Sequence, residues 1–346
     1  MMRLRLPEVP RFLRGDALAL PNDCCPVVAA CVASGTLLLE QAGIETARLD
    51  AECLVAAGLG CPRWHLILEP NRRLSPEEFS RILRLLQRRE RREPLAYVLG
   101  VREFWSLPMA VSAGVLVPRP ETETLVEAAL AAWGEMRAES RERRAESRER
   151  RRETREPRAK SGEPRGESRE AGPIIVELCT GSGAVAIALA KELPAARVLA
   201  TDLSWRALRV ARANAARHGV AARIEFLRGD LWRAVNGQAP AGSVDLVVAN
   251  PPYIRSPELA TLMPEVQWEP RLALDGGADG LRVLRKIVAS SPDRIRPGGV
   301  LLLEIGADQA EAVGVLLAAS GRFEPARLRP DLAGRPRVVV ARRRGM

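Results

Sequence analysis

The stretch Ile174-Ile175-Val176-Glu177-Leu178-Cys179-Thr180-Gly181-Ser182-Gly183-Ala184 decides how the larger part of this 346-residue chain is read. Its first five residues are mostly β-branched and apolar, the signature of a buried strand. Gly181 and Gly183 then allow a tight turn that brings backbone close to a ligand. The apolar run that follows, through Lys191, is a helix whose N-terminus stands behind that turn. The pattern repeats outward. A strand is expected at Arg197–Thr201 and a helix from Ser204 to His218. Strands follow at 224–227 and 244–249, a helix at 281–295, a strand at 299–305 and a helix at 309–320. Two last strands fall near 323–328 and 337–342. Such alternation predicts an α/β domain with a parallel, doubly wound sheet that binds ligands at the carboxyl ends of its strands.

Three features describe that ligand. The glycine turn is the first, and alone it is common among α/β proteins. Asp202, nineteen residues after Gly183, ends the next strand, where a carboxylate accepts hydrogen bonds from ribose hydroxyls. Gly229-Asp230-Leu231 follows the third strand; Asp230 suits an adenine amino group and Leu231 the face of its ring. A dinucleotide accounts for the first two, and Ala186 is an allowed variant of the last glycine in the Gly-x-Gly-x-x-Gly pattern. It leaves Asn250-Pro251-Pro252-Tyr253 unexplained.

That tetrapeptide follows the apolar strand Val244–Ala249. Its ordinary reading is a Pro-Pro turn that closes a strand. Its chemical reading is methylation of a planar nitrogen. An amide or amino-purine nitrogen is a poor nucleophile because its lone pair is delocalised, so its N–H donors need fixed acceptors. The Asn250 side-chain oxygen is one and the Pro251 carbonyl the other, on a turn that two prolines stiffen. Tyr253, one of only two tyrosines, can stack on the flat group. S-adenosylmethionine carries a ribose, an adenine and a methyl on a sulfonium, with no phosphate. It accounts for all four features at once.

Composition bounds the rest. No apolar run is long enough to span a membrane, and the 47% hydrophobic content supports one large and one small domain. The six cysteines form no paired Cys-x-x-Cys array, and there are two histidines, His65 and His218. Neither a metal site nor a disulfide framework is expected, and a reducing compartment is. The net charge is +10, of which residues 137–171 supply +4 from thirteen Arg and Lys against nine Glu. That segment repeats Arg-Ala-Glu-Ser-Arg-Glu-Arg at 137–143 and 144–150 and has no apolar face. It reads as an exposed insert, part charged helix and part disorder, following a helix from Thr122 to Trp133. From Ser34 to Pro94 the pattern is helical. Ser75 and Pro76 mark one helix start, and Arg81, Arg84, Arg88, Arg89, Arg91 and Arg92 fall mostly on that helix's outer face. Short extended segments between Tyr97 and Val117 read as a β-hairpin.

With these blocks in view, the chain resembles the release-factor glutamine N5-methyltransferases, the PrmC/HemK family, from Leu37 to Arg342. The resemblance rests on Ala42-Gly43-Ile44, Arg48-Leu49-Asp50-Ala51-Glu52, Arg92-Glu93-Pro94-Leu95-Ala96-Tyr97, Glu103-Phe104-Trp105 and Val117-Pro118-Arg119-Pro120-Glu121-Thr122-Glu123. It also rests on Asn250–Ile254, Glu269-Pro270, Gly276-Gly277-Ala278-Asp279-Gly280-Leu281 and Asp331-Leu332-Ala333-Gly334-Arg335. The tetrapeptide is shared with amino-methyltransferases of nucleic acids; the other blocks are more specific.

The resemblance implies a class I, Rossmann-like methyltransferase domain with a small N-terminal helical domain. Expected boundaries are an extension at 1–33, a substrate-docking domain at 34–95, a hairpin linker at 96–117 and the methyltransferase domain at 118–346, with the insert at 137–171. It implies S-adenosylmethionine at Glu177, Cys179, Thr180, Gly181, Ser182, Gly183, Asp202, Asp230, Leu231 and Asn250. Asn250, Pro251, Pro252 and Tyr253 would hold the acceptor amide, bordered by Arg119 and Glu121. The implied acceptor is the glutamine of the Gly-Gly-Gln motif in class I peptide-chain release factors. The implied enzyme is a cytoplasmic monomer with no membrane and no nucleic-acid substrate. The alternatives are an N6-adenine methyltransferase of DNA or RNA, and a methyltransferase for a ribosomal-protein glutamine. Two positions depart from the family: Glu177 stands where it usually has Asp, and Cys179 where it usually has Gly. The cysteine tests whether that position needs a positive φ.

Overall fold

The computed structural model describes residues 25–153 and 172–345. Most of the expected N-terminal extension and the second part of the charged insert, residues 154–171, lie outside these. The chain forms two compact units. One comprises Met1–Val101 with Leu262–Trp268, the other Arg102–Thr261 with Glu269–Met346.

The first unit is helical: α1 (Val28–Gln41), α2 (Ala47–Leu59), α3 (His65–Leu68), α4 (Pro76–Glu90) and α5 (Leu95–Leu99). The first helix thus opens before the expected Ser34. α4 starts on a capping box, in which the Glu78 amide donates to Ser75 Oγ at 3.2 Å and Glu78 Oε2 accepts from the Ser75 amide at 2.9 Å. Leu39, Leu54, Ile82 and Leu86 are fully buried between α1, α2 and α4. Gly58 permits the approach of α2 to α4, since a Cβ there would run into Ile82.

One expectation fails here. Arg89 does not ride on an outer face but is 5% exposed, with its Nε donating to Asp50 Oδ2 at 2.7 Å. Helical spacing alone does not reveal this, because the partner sits on another helix. Glu265 of α10 (Pro264–Gln267) completes the cluster, accepting from Arg89 Nη1 at 2.9 Å and from Arg92 Nε at 2.7 Å.

The second unit begins inside β1 (Val101–Phe104), which β2 (Leu107–Ala110) follows. The connecting Trp105 and Ser106 both have positive φ, the geometry of the tight hairpin turns that match strand twist. A 3-10 turn at Pro120–Thr122 leads into α6 (Glu123–Glu153). This helix does not stop near Trp133 but runs on through both charged heptapeptides. Its acidic side chains find partners on the sheet: Glu135 pairs with Arg327 at 2.8 Å and Glu139 with Arg342 at 2.5 Å.

The remaining strands are β3 (Ile174–Leu178), β4 (Arg197–Asp202), β5 (Ile224–Arg228), β6 (Val244–Ala249), β7 (Ile295–Glu304), β8 (Arg327–Pro330) and β9 (Pro336–Arg342). They form one sheet in the order β5-β4-β3-β6-β7-β9-β8. The helices between them are α7 (Ala184–Glu192), α8 (Trp205–Arg217), α9 (Trp232–Val235), α11 (Arg271–Leu274), α12 (Arg282–Ser290) and α13 (Ala310–Ser320). One sheet face is covered by residues of α6, α7 and α8, including Leu125, Ile187 and Leu208. The other is covered by α9, α12 and α13, through Trp232, Leu284 and Leu317.

The sheet is mixed, not wholly parallel, because β9 runs antiparallel to β7 and β8 antiparallel to β9. The link between β8 and β9, Asp331 to Arg335, is a tight turn in which Asp331 Oδ1 accepts from the Ala333 and Arg335 amides, both at 3.0 Å. A parallel crossover needs roughly a dozen residues or more, so this spacing permits only a hairpin. Helix α12 also ends at Ser290 and Ile295 opens β7, where one longer helix was expected.

Candidate active site

Strand order reverses beside β3, which pairs with β4 on one side and β6 on the other. Open α/β sheets form a ligand crevice at such a switch point. The register Leu178↔Ala249 puts the residues that leave the two strands, Cys179 and Asn250, side by side. A cavity of about 330 Å³ opens there. Cys179, Gly181, Asp202, Asp230, Leu231, Asn250 and Pro252 line it, with Val115, Leu116, Leu272 and Val283 as apolar walls.

The glycine turn is wired to the next strand. Asp202 Oδ2 accepts the Gly181 amide at 2.9 Å and Oδ1 accepts the Ser204 amide at 2.8 Å. Burial nevertheless raises the Asp202 pKa, opposed by these amides. The Gly181 N–H that would meet a phosphate is therefore already occupied, and two carboxylates stand at the cavity. This suits a ligand with ribose hydroxyls and no phosphate. The Thr201 hydroxyl, in the same wall, is buried without a hydrogen-bond partner among the described residues, which leaves a polar group for a ligand to satisfy. Asp230 accepts from Lys286 Nζ at 3.3 Å.

Two strained backbone positions border this cavity. Cys179 has φ of 64°, so the departure from glycine falls where the left-handed conformation is required. Burial raises its thiol pKa, with Asp202 and Glu177 adding to the effect, so the sulfur stays neutral. Leu231 has φ of 49° and ψ of −122°, a region side chains rarely occupy.

Glu177, Thr180, Ser182 and Gly183 do not line the cavity but stand behind it. Glu177 Oε2 accepts from the Thr180 hydroxyl at 2.5 Å and the Ala186 amide at 3.1 Å, tying strand, turn and helix together. Burial pushes its pKa up to about 8 against those two hydrogen bonds. The longer side chain thus serves the loop from beneath. Gly183 lies against α8, where a Cβ would come within 3.0 Å of Ala211 Cβ.

Asn250 donates from Nδ2 to Thr122 Oγ1 at 3.1 Å, and its Oδ1 accepts no hydrogen bond from the described residues. The turn behind it is held at several points. Gln309 Nε2 donates to the Tyr253 carbonyl at 2.9 Å, and the Ile254 amide to the Leu274 carbonyl at 3.0 Å. Gly280 packs on the Tyr253 carbonyl so closely that a Cβ would collide with it. Tyr253 packs against the sheet core, and its hydroxyl donates to Glu304 Oε1 at 3.3 Å. Arg119 is paired with Glu269, whose Oε2 accepts the Val117 amide at 3.0 Å; Glu121 is exposed.

Sequence reasoning on individual residues missed Thr122, Glu269, Glu304 and Gln309. Thr122 and Glu269 lie in segments that carry the family resemblance, but only the fold reveals their partners.

Residues 31–100 match the family described as PrmC N-terminal domain, and residues 175–267 match the family described as methyltransferase domain. The chain is 40% identical over 306 residues to a release factor glutamine methyltransferase of Bradyrhizobium diazoefficiens, covering 88% of this chain and 91% of that one. A relative of the same name from Moorella thermoacetica is 39% identical, with 88% and 95% covered. Another from Cereibacter sphaeroides is 41% identical, with 88% and 94% covered. The chain belongs to the release factor glutamine methyltransferase family. It is a methyltransferase whose catalytic domain has the class I, Rossmann-like fold, accompanied by the family's N-terminal helical domain. Among the described residues of this family member, no helix is long and apolar enough to cross a membrane.

Proposed function

We propose that the protein transfers the methyl group of S-adenosylmethionine to the side-chain amide nitrogen of the glutamine in the Gly-Gly-Gln motif of class I peptide-chain release factors. The observation that carries this reading is the Oδ1 of Asn250, which accepts no hydrogen bond from the described residues while its Nδ2 is engaged by Thr122, at the edge of a cavity lined by Asp202 and Asp230. Family membership supplies the acceptor class, and the acceptor would bring the reaction to the cytoplasm.

Asp202, Asp230, Leu231 and the Cys179–Gly181 backbone would hold the cofactor. When bound, it supplies a methyl group on a sulfonium, an intrinsically good leaving group. The chain's own contribution is positioning. Asn250 Oδ1 and the Pro251 carbonyl accept the two N–H donors of the acceptor amide, which aims its nitrogen and favours the positive charge that develops there. Pro251 and Pro252 keep those acceptors fixed. Tyr253 anchors the turn through its carbonyl and hydroxyl, in addition to the stacking that its ring suggests in sequence. Glu269, bonded to Arg119 and to the Val117 amide, fixes the 117–123 segment, whose Thr122 accepts from Asn250. Residues 34–95 would dock the release factor, with the 96–117 hairpin as the link.

The test is methyl transfer from labelled S-adenosylmethionine to a purified release factor. Its comparators are the same factor with the Gly-Gly-Gln glutamine changed to alanine, and duplex and single-stranded DNA. Label on the intact factor alone supports the reading. Label on DNA alone would sink it.

A further inference from the structure

Helix α8 carries Arg206, Arg209, Arg212 and Arg217, all exposed, and no acidic residue. The net charge of +10 falls to +6 outside the +4 of residues 137–171, so four arginines on one helix are a local concentration of charge. Helix α12 shows the ordinary arrangement, in which each cation has its acid: Arg282 stands 4.0 Å from Asp275, Arg285 pairs with Asp279, and Lys286 lies 3.3 Å from Asp230. On α8, Arg212 is tied to the Phe226 carbonyl at 2.7 Å. Among the described residues, Arg206, Arg209 and Arg217 pair with no carboxylate.

An apolar pair is set among these cations. Trp205, the first residue of α8, is 50% exposed, and Leu203 just before the helix is 46% exposed. The Arg209 guanidinium lies 5.2 Å and that of Arg206 5.8 Å from the indole centroid, both within cation–π range. Arg228, which ends β5, joins them, its Nε donating to the Leu203 carbonyl at 3.3 Å. The patch adjoins the cavity of the candidate active site. Leu203 and Ser204 line that cavity, and Arg206 packs on Gly114 of its wall, where a Cβ would meet the Arg206 Cδ at 3.4 Å.

A solvated helix face accounts for the arginines but not for an indole and a leucine among them. An acidic protein surface would pair with the arginines and leave the indole unused. A single strand of nucleic acid uses both. Its phosphates pair with guanidinium groups, and an unpaired base stacks on an indole or an arginine plane. From Arg206 to Arg217 the helix rises about 16 Å, too far for one phosphate group to serve, so a chain of phosphates fits better than a free nucleotide. We propose that this face of α8 binds single-stranded RNA, as a second ligand and not as the methyl acceptor. The choice of RNA over DNA rests on the functional reading above, which places the enzyme's substrate in translation; the surface itself does not. Phosphates and base faces carry no sequence information, so little sequence preference is expected.

The test is fluorescence anisotropy of a labelled, unstructured RNA of about 12 nucleotides, titrated with the whole protein. The parent should bind with a Kd of roughly 1–100 µM at physiological salt and more weakly as salt rises. Trp205→Ala should weaken binding roughly 5- to 100-fold, and Trp205→Phe should recover most of the loss. Arg206→Ala and Arg209→Ala should each make the dependence of log Kd on log salt shallower by about 0.7. A DNA strand of the same sequence should bind no more tightly, and a polyglutamate peptide should bind more weakly and be indifferent to Trp205→Ala. Failure of the parent to bind RNA overturns the proposal. So does binding that every variant keeps, which would assign it to the charged repeat at 137–150, and so does a preference for DNA or for polyglutamate. Melting temperatures identify any variant that fails to fold, and the arginine and phenylalanine variants decide if Trp205→Ala does. Release-factor methylation is measured beside it; its absence would refute the functional reading and leave the binding result standing.

Discussion

Two clusters of carboxyl groups withdrawn from water in this protein, one partly and one fully, are built on opposite terms. In the helical unit, Asp50 and Glu265 are matched by Arg89 and Arg92, with N···O distances from 2.7 to 2.9 Å. Burial works against the charge on Glu265, but hydrogen bonds and the charges of Arg92 and Arg89 outweigh it and hold its pKa below the ordinary value. In the catalytic unit, Glu177 and Glu304 are 3% and 1% exposed and, among the described residues, have no arginine in hydrogen-bonding contact. Burial lifts them to about 8 and about 7, against the hydrogen bonds from Thr180 and Ala186 to the one and from Tyr253 to the other. The difference teaches what each cluster is for. Paired charges lock helices in one arrangement; carboxyls that collect neutral donors hold loops and side chains in one orientation.

The contrast breaks most readily at Arg89. Arg89→Ala leaves Asp50 buried without its cation, and the cost is expected to be about 3–5 kcal/mol, read by chemical unfolding. Arg89→Ala together with Asp50→Ala should cost less than Arg89→Ala alone, because no charge is then stranded. Equal losses would mean that the pair contributes only packing.

Asn250→Ala should do the reverse. It is expected to lower kcat roughly 10²–10³-fold and leave unfolding nearly unchanged, because the residue presents an acceptor and supports no core. Cofactor affinity, measured by calorimetry, should change little. If affinity falls in step with kcat, Asn250 acts chiefly through cofactor binding.

Glu177→Gln sharpens the comparison through pH. The folded pKa of about 8 lies above the ordinary carboxyl value of 4.5, so between the two the native state binds more protons than the unfolded state. Stability therefore declines as pH rises across that window, and the glutamine variant lacks this decline. The melting temperature of the variant relative to the parent should climb from pH 5 to pH 8 and then level off. A constant difference would mean that Glu177 keeps an ordinary pKa. Glu304→Gln should behave alike, levelling off near pH 7.

The smallest expected effect is at Cys179. Its φ of 64° costs a side chain about 1–2 kcal/mol. Glycine relieves this but loses more backbone entropy on folding, so Cys179→Gly should stabilise by less than about 1 kcal/mol. Cofactor binding should persist. A destabilised variant would mean that packing of the thiol outweighs the strain.

The strand–turn–helix alternation, the acids at the strand ends and the rigid turn at Asn250 are all written in the order of residues. These are local: strand periodicity, glycine and proline preferences, and the fixed place of a strand's last residue all act within a few positions. Hence Cys179, Gly181, Asp202, Asp230, Leu231 and Asn250 were legible as neighbours of one cavity before any coordinates. The extent of α6 was less legible, because its helical repeat has no apolar face and the arginines that hold it lie on β8 and β9. Which polar groups are buried, and what they meet, follows from the packing of distant segments. Thr122 and Asn250 are 128 positions apart, and Arg89 and Glu265 are 176 apart. A buried polar group needs a partner, but the chain topology chooses that partner from anywhere in the sequence.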